Sequence, residues 1–297
     1  MPTPTIIAFL GQIFISLYPI LIKNSQATIP QQIAGRFGIF SLLPVLVAGP
    51  GVLSLLGDVK TFAAGLVNIF HVLESYKSFQ LLPAGVAYSI IYTYPFWNLL
   101  GGRLLLGEPI PAGTLPVFGL AFLGVLLLAF GSGSMNVKSQ GRLEKAKEGG
   151  GGVSRVNMRG LAAAFMGAIT ETILYLIVRG SEFQSPMYNI GRLYLGGALL
   201  LLLGGAVLRP QVFSSLVSTP PAVPAFNALI GFTSMTALVW AAKKIPTYIY
   251  SIIAFVGLVS SYGWGVLFAE EVPSVSAVLG SLIIAASVWL LPSVTSK

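Results

Sequence analysis

The sequence predicts an all-α integral membrane fold of ten transmembrane helices, arranged as two inverted five-helix repeats. Three observations carry that expectation: a composition too apolar for a water-soluble chain of this size, a succession of apolar windows of membrane-crossing length, and a second half that repeats the first. Of the 297 residues 55% are hydrophobic and 9% charged, and mean hydropathy is +0.85. A soluble domain carries about 25% charged residues. A helix of about 20 apolar residues crosses the roughly 30 Å of bilayer hydrocarbon. Runs such as "LGGALLLLLGGAVL" lack the alternation expected of the strands of a membrane β-barrel.

The apolar windows fall at 4–22, 33–50, 61–79, 84–106, 113–131, 157–179, 187–208, 222–241, 247–268 and 274–292. The first, "TPTIIAFLGQIFISLYPILI", is apolar for longer than a signal peptide and lacks a basic leader, so it reads as a retained span. Between the fifth and sixth windows runs "GSGSMNVKSQGRLEKAKEGGGGVSRVNMRG", the only long polar segment, whose glycines and basic residues read as a flexible linker. The predicted organisation is a first repeat over 1–134, a basic Gly-rich linker over 135–156, and a second repeat over 157–297.

Two ungapped alignments carry the duplication. "VAYSIIYTYPFWNLLGGRLLLGEPIP" (86–111) matches "YIYSIIAFVGLVSSYGWGVLFAEEVP" (248–273) at "YSII", Gly101/Gly263, Leu105/Leu267, Glu108/Glu270 and Pro111/Pro273. Residues 8–37 match 164–193 at Ala8/Ala164, Phe9/Phe165, Gly11/Gly167, Pro30/Pro186, Gly35/Gly191 and Arg36/Arg192, among others. Matches at Gly-Arg, at Pro and at Glu-x-x-Pro are not what chance similarity of apolar text produces. An odd number of spans per repeat makes the second half enter the membrane from the opposite face. Inverted repeats of this kind recur in secondary transporters, with the substrate site near the midplane between them.

The stretch "LLPAGVAYSIIYTYPFWNLLGGRLLLGEPI", with a mid-span Pro and a Leu-Gly-Glu close, resembles the fourth-span signature of the drug/metabolite transporter superfamily, EamA type. "GRF" and "GRL" near the start of the second and seventh windows are similar to the same family's helix-opening Arg. Two departures stand in the second half, Gly257 opposite Pro95 and "FAEE" in place of Leu-Gly-Glu. The resemblance covers nearly the whole chain. It implies a carrier of small metabolites such as amino acids or other amphiphiles, working as an exporter or exchanger. A channel or a lipid-scramblase-like protein is the alternative that the same architecture permits.

Composition excludes much else. Without cysteine there is no disulfide or thiolate chemistry, and one histidine (His71) with one aspartate (Asp58) cannot supply a multi-ligand metal site. No H-E-x-x-H, no catalytic triad and no Gly-rich phosphate loop is present, so neither an enzyme nor a cofactor is expected. Much of the formal charge of +8 sits in the central linker and concerns membrane topology rather than nucleic acid. The expected partners are a small-molecule substrate and membrane lipid, in the plasma (inner) membrane, with an organelle membrane as the alternative. Counting basic residues near span ends puts the linker in the cytoplasm, whereas the resemblance implies cytoplasmic termini.

A charge inside hydrocarbon costs about 2.5–3.5 kcal/mol on insertion scales, so it needs a partner or a wet cavity. Glu171 lies near mid-span in "GAITETILYL", and "NIFHVLESYKSF" sets His71 and Glu74 on one helix face with Asn68 a turn earlier. Glu171, Glu74 and His71 are the candidates to bind a substrate amine or carry a proton. The structural reading instead pairs Glu74 with Lys77 or His71 and leaves Glu171 satisfied by a neighbouring Tyr or Ser. Tyr88 and Tyr250, aligned across the repeat, are candidate lining residues, as are Asn98 and Ser260. Glu108 and Glu270 sit in Pro-containing turns, where a carboxylate caps the next helix or forms a gating ion pair. Arg36 and Arg192 either anchor helix ends at the interface or hold an anionic substrate group. Pro95 is expected to kink its span.

Overall fold

The computed structural model describes residues 3–82, 84–132, 157–208, 218–269 and 274–295. Glu270 and the central linker lie outside the described residues. The helices are α1 (Thr3–Ile15), α2 (Tyr18–Asn24), α3 (Ile29–Ala48), α4 (Val59–Leu81), α5 (Ala84–Ile91), α6 (Tyr94–Leu105) and α7 (Thr114–Ser132). After the linker come α8 (Met158–Gly180), α9 (Pro186–Leu208), α10 (Ala222–Phe226), α11 (Thr233–Lys244), α12 (Thr247–Ala269) and α13 (Val275–Thr295). A 3₁₀ helix, Pro50–Gly57, precedes α4, and a π-helical segment, Asn227–Phe232, joins α10 to α11.

Every predicted window is occupied by helix, but not every helix has the character of a span. Six segments are long and apolar enough to cross a membrane: Thr3–Ile22, Ile29–Ala48, Met158–Gly180, Pro186–Gly204, Ala222–Lys244 and Thr247–Phe268. A seventh is reached if α4 is counted together with the 3₁₀ helix, which meets it at 94°. The shortfall from ten has physical causes among the described residues. Asn68, His71, Glu74 and Lys77 lower the hydropathy of α4. The fourth window is split into α5 and α6, and α7 and α13 offer shorter apolar stretches, Thr114–Leu128 and Val275–Leu291.

Two breaks share one local cause. Tyr-Pro occurs at Tyr18-Pro19 and at Tyr94-Pro95, and each proline sits in the first turn of a new helix, α2 and α6. Proline has no N–H to donate and crowds the preceding turn, so the chain restarts rather than bending through. Pro95 therefore divides its window in two instead of kinking one continuous helix. In the eighth window Pro224 lies three residues ahead of the π-helical segment, where the regular bond ladder is widened.

The outer surface is apolar. Leu42, Leu46, Val47, Val59, Leu66, Leu104, Leu105, Leu203, Leu229, Leu267, Leu282 and Trp289 are exposed, several by more than 60%. A water-soluble surface does not carry a belt of that kind; hydrocarbon does. Inside, glycines bring helices together. Gly65 of α4 meets Gly196 and Gly197 of α9 so closely that a Cβ there would lie 2.2 Å from the Gly197 nitrogen. Four pairs give the direction of packing. Gly124 faces Ile284 while Leu128 faces Gly280, so α7 and α13 run antiparallel. Ser75 meets Gly167 and Leu82 meets Gly160, so α4 and α8 do likewise.

Candidate functional site

A cavity of about 120 Å³ lies among α1, α2, α3, α4, α5, α6, α8, α9, α11 and α12. Its wall is mostly aromatic and apolar, with Gln12, Arg36, Asn68, His71, Ser75 and Glu171 as polar interruptions. Tyr88, Tyr92 and Tyr94 form a run of ring contacts at 4.9 and 5.5 Å between successive centroids. Tyr94 accepts a bond from Gln12 at 3.2 Å, and the Tyr92 hydroxyl points to the same Gln12. Gly257 answers one departure seen in the second half of the sequence. A Cβ there would lie 2.1 Å from the Tyr92 hydroxyl and 2.8 Å from Gln12, so the position opposite Pro95 must stay empty.

His71 and Glu171 meet at 3.1 Å, Nε2 to Oε2, joining α4 to α8 at the cavity. Proton positions follow from the other side of the ring. His71 Nδ1 lies 3.2 Å from the Gly167 carbonyl oxygen and 3.2 Å from Thr170 Oγ1. The threonine hydroxyl donates to the Met166 carbonyl at 2.7 Å, and a carbonyl only accepts, so Nδ1 carries the hydrogen. Nε2 then contacts the carboxylate favourably only if one further proton lies between them. With that proton the pair is either imidazolium–carboxylate or imidazole–carboxylic acid. Without it two lone pairs face each other and the contact is repulsive. The contact as it stands is therefore that of two groups sharing one proton.

The other sequence candidates separate. Tyr88 and Tyr250 line the cavity. Glu74 bonds Lys77 at 2.8 Å on its own helix and is not among the lining residues, in keeping with the structural alternative. Asn98 is fully buried on α6, and Ser260 is half-buried on α12; neither lines the cavity. Arg36, read from sequence as an interfacial anchor or an anion holder, faces the cavity. Arg192 is no snorkelling anchor. It is 5% exposed and binds Asp58 at 2.9 Å and Glu182 at 2.9 and 3.3 Å, with its guanidinium 4.6 Å from the Phe183 ring centre. Gln12, Tyr18, Tyr76 and Tyr194 line the cavity and were not singled out from sequence. An uncharged Gln in an apolar window and the two Tyr-Pro breaks were the available signals.

Glu108 is both a cap and an ion-pair partner, though not for the helix that follows it. Its carboxylate accepts from Arg179 of α8 at 2.5 Å and from the Thr247 N–H at the start of α12 at 3.0 Å. Arg179 also donates to the Ala242 carbonyl, and Lys243 donates to the carbonyls of Arg179 and Ser181. Three elements of the second half are thereby tied to the turn after α6. Burial alone pushes the Glu108 carboxyl up, but bonds from Arg179 and Thr247 outweigh it and hold the group below its usual 4.5. A carboxyl lowered on folding adds stability that is complete above the unfolded value and lost as pH falls through the folded one. Glu108→Gln should cost about 1.5–3 kcal/mol at pH 7 and flatten the loss of melting temperature below about pH 4.5. Calorimetry between pH 3 and pH 7 checks both.

The cavity floor leads to this cluster. Tyr250 stacks on Tyr175 at 4.9 Å, and the Tyr175 hydroxyl bonds Thr247 Oγ1 at 2.8 Å. In the opposite direction the lining reaches Ile22 and Phe79, within a turn of the ends of α2 and α4.

No protein-family model matches the chain. It is 24% identical over 290 residues to the pseudopaline exporter CntI of Pseudomonas aeruginosa strain UCBPP-PA14, covering 94% of this chain and 92% of the relative. The same figures hold for the pseudopaline exporter CntI of strain PAO1. A solved crystal structure of a protein superposes with a TM-score of 0.66 at 18% identity, covering 97% of this chain and 96% of the other, which speaks to the fold alone. With its apolar exterior and membrane-length helices, the chain is an integral membrane protein of all-helical fold, similar along nearly its whole length to named exporters.

Proposed function

We propose that the chain is a secondary transporter of the EamA type of the drug/metabolite transporter superfamily, moving a small organic solute across the inner membrane by alternating access. The observation that carries this reading is the 3.1 Å contact of His71 with Glu171, an ionisable pair that lines a cavity deep among apolar helices. An ionisable pair in that setting is a functional feature by default. The ten windows act as ten spans in two inverted repeats. Packing supports the exchange of each helix with its counterpart five windows on. The contact of α4 with α8 has its partner in α11 with α1, that of α6 with α8 in α12 with α1, and α7 packs on its own counterpart α13. The antiparallel course of α7 and α13 agrees with inversion.

In this reading the described state is sealed at one end by the Glu108–Arg179–Thr247 and Asp58–Arg192–Glu182 clusters and reaches toward the other through Ile22 and Phe79. The stack from Tyr250 through Tyr175 to Thr247 ties the cavity floor to the seal. An amine competes with His71 for Glu171, so arrival of substrate and departure of the shared proton are linked. Pseudopaline, for which the relatives are named, is the first solute to try, followed by amino acids and amphiphilic amines. In proteoliposomes, uptake that saturates, is competed by unlabelled solute and responds to a pH gradient supports the carrier. Flux that stays linear in concentration and is blind to competitors overturns it in favour of a channel.

A further inference from the structure

Arg36 is the one cavity-lining side chain of fixed positive charge among the described residues, and its surroundings are unusual. Its Nε donates to the Tyr194 hydroxyl at 2.9 Å. Its guanidinium carbon lies 5.0 Å from the ring centre of Tyr18, 5.2 Å from that of Phe40 and 5.8 Å from that of Tyr194. Three aromatic rings surround the cation, and no carboxylate of the described residues is in contact with it. Among the described residues no carboxylate lies within 4.0 Å of Arg36, whereas Arg179 and Arg192 both have one. A desolvated cation without an anion is costly, and the ring contacts compensate only in part. A fork of this kind, aimed into a cavity, suits a planar bidentate anion.

The opposite charge is close along the same wall. Asn68 of α4 donates to the Leu193 carbonyl, next to Tyr194, and His71 follows Asn68 by one helical turn, about 4.5 Å of rise. Glu171 reaches the wall there through His71. Only Oε2 of Glu171 is engaged by the ring nitrogen, which leaves Oε1 with acceptor capacity.

We propose that Arg36 is the carboxylate anchor of the cavity and that the solute is a zwitterion, its carboxylate on Arg36 and its ammonium group on Glu171. This rests on the transporter reading of the same cavity and narrows it: simple amines and neutral metabolites lack half of the recognition. The aromatic wall between takes the side chain of the solute.

The test uses the purified full chain in nanodiscs. Alanine, leucine and phenylalanine are each compared with the corresponding amide by calorimetric titration. At least one acid should bind the unaltered protein about tenfold or more tightly than its amide, about 1.4 kcal/mol of discrimination. Arg36→Gln should bring acid and amide within about twofold, and Arg36→Lys, which keeps charge but not the fork, should fall between. Should Arg36→Gln fail to fold, Arg36→Lys carries the same comparison. Amides binding as well as acids, no acid binding at all, or an acid-to-amide ratio unchanged in the folded variant would each overturn the anchor. Counterflow of phenylalanine and of phenethylamine, each driven by a pH gradient in proteoliposomes, reads the transporter proposal separately. The amine is carried as well as the amino acid if only the anchor is wrong, and neither is carried if the carrier itself is wrong.

Discussion

Glu171→Gln protein should insert and fold normally, yet transport at least about tenfold more slowly, with the pH dependence of flux abolished. The amide is close in shape to the carboxyl and can donate to His71 Nε2, so the contact between α4 and α8 is kept. What is lost is the option of giving that proton away. A transporter that must shed a proton to open the pair is then held in one arrangement. Initial rates in proteoliposomes across pH 5.5 to 8.5, with melting temperature as the control for folding, check this. Undiminished flux that still responds to pH would remove the pair from the mechanism.

Gly65→Leu should have the largest effect on stability. The site has no space: a Cβ meets the Gly197 nitrogen at 2.2 Å and the Gly196 carbonyl carbon at 2.9 Å, both main-chain atoms that cannot rotate away. Forcing α4 from α9 costs about 3 kcal/mol, and each kcal/mol moves the melting temperature of a chain of this size by roughly 2–4 °C. A fall of roughly 6–12 °C, or loss of detergent-extractable folded protein, is the expected result. Gly38→Ala is the control, because nothing lies within 4 Å of a Cβ there, and it should be neutral or mildly stabilising. A Gly65→Leu protein as stable as Gly38→Ala would mean that the two helices do not meet as described. The effect also reaches the site, since α4 carries His71 and α9 carries Tyr194.

Much of the helix layout was legible because lipid imposes a one-dimensional rule. An apolar run of fixed length announces itself without knowledge of its neighbours, and all ten windows hold helix. The Tyr-Pro breaks were readable in kind but not in extent. A proline interrupts the bond ladder wherever it stands inside a helix, yet Pro44 lies within unbroken α3 while Pro95 separates two helices. The helix interior around each proline decides which outcome is cheaper, and the interior is tertiary. Charges were the least legible. Glu74, His71 and Glu171 carry the same signal in sequence, an ionisable group in an apolar run, and only packing assigned Glu74 to Lys77 and His71 to Glu171. Glu108 looked like a cap for the helix that follows it and instead caps α12, far along the chain.

By itself the sequence determined the solvent this chain requires, the number of apolar windows and the internal likeness of its halves. Those are properties of composition and period, summed residue by residue. The tertiary structure alone decided that Arg36 faces a cavity with no carboxylate of the described residues beside it, while Arg192, aligned with it in the second half, is neutralised by Asp58 and Glu182. Two arginines with the same local text, Gly-Arg near a helix start, differ because electrostatic energy depends on which charges come within a few ångströms. That distance is set by helices that are not neighbours in the chain.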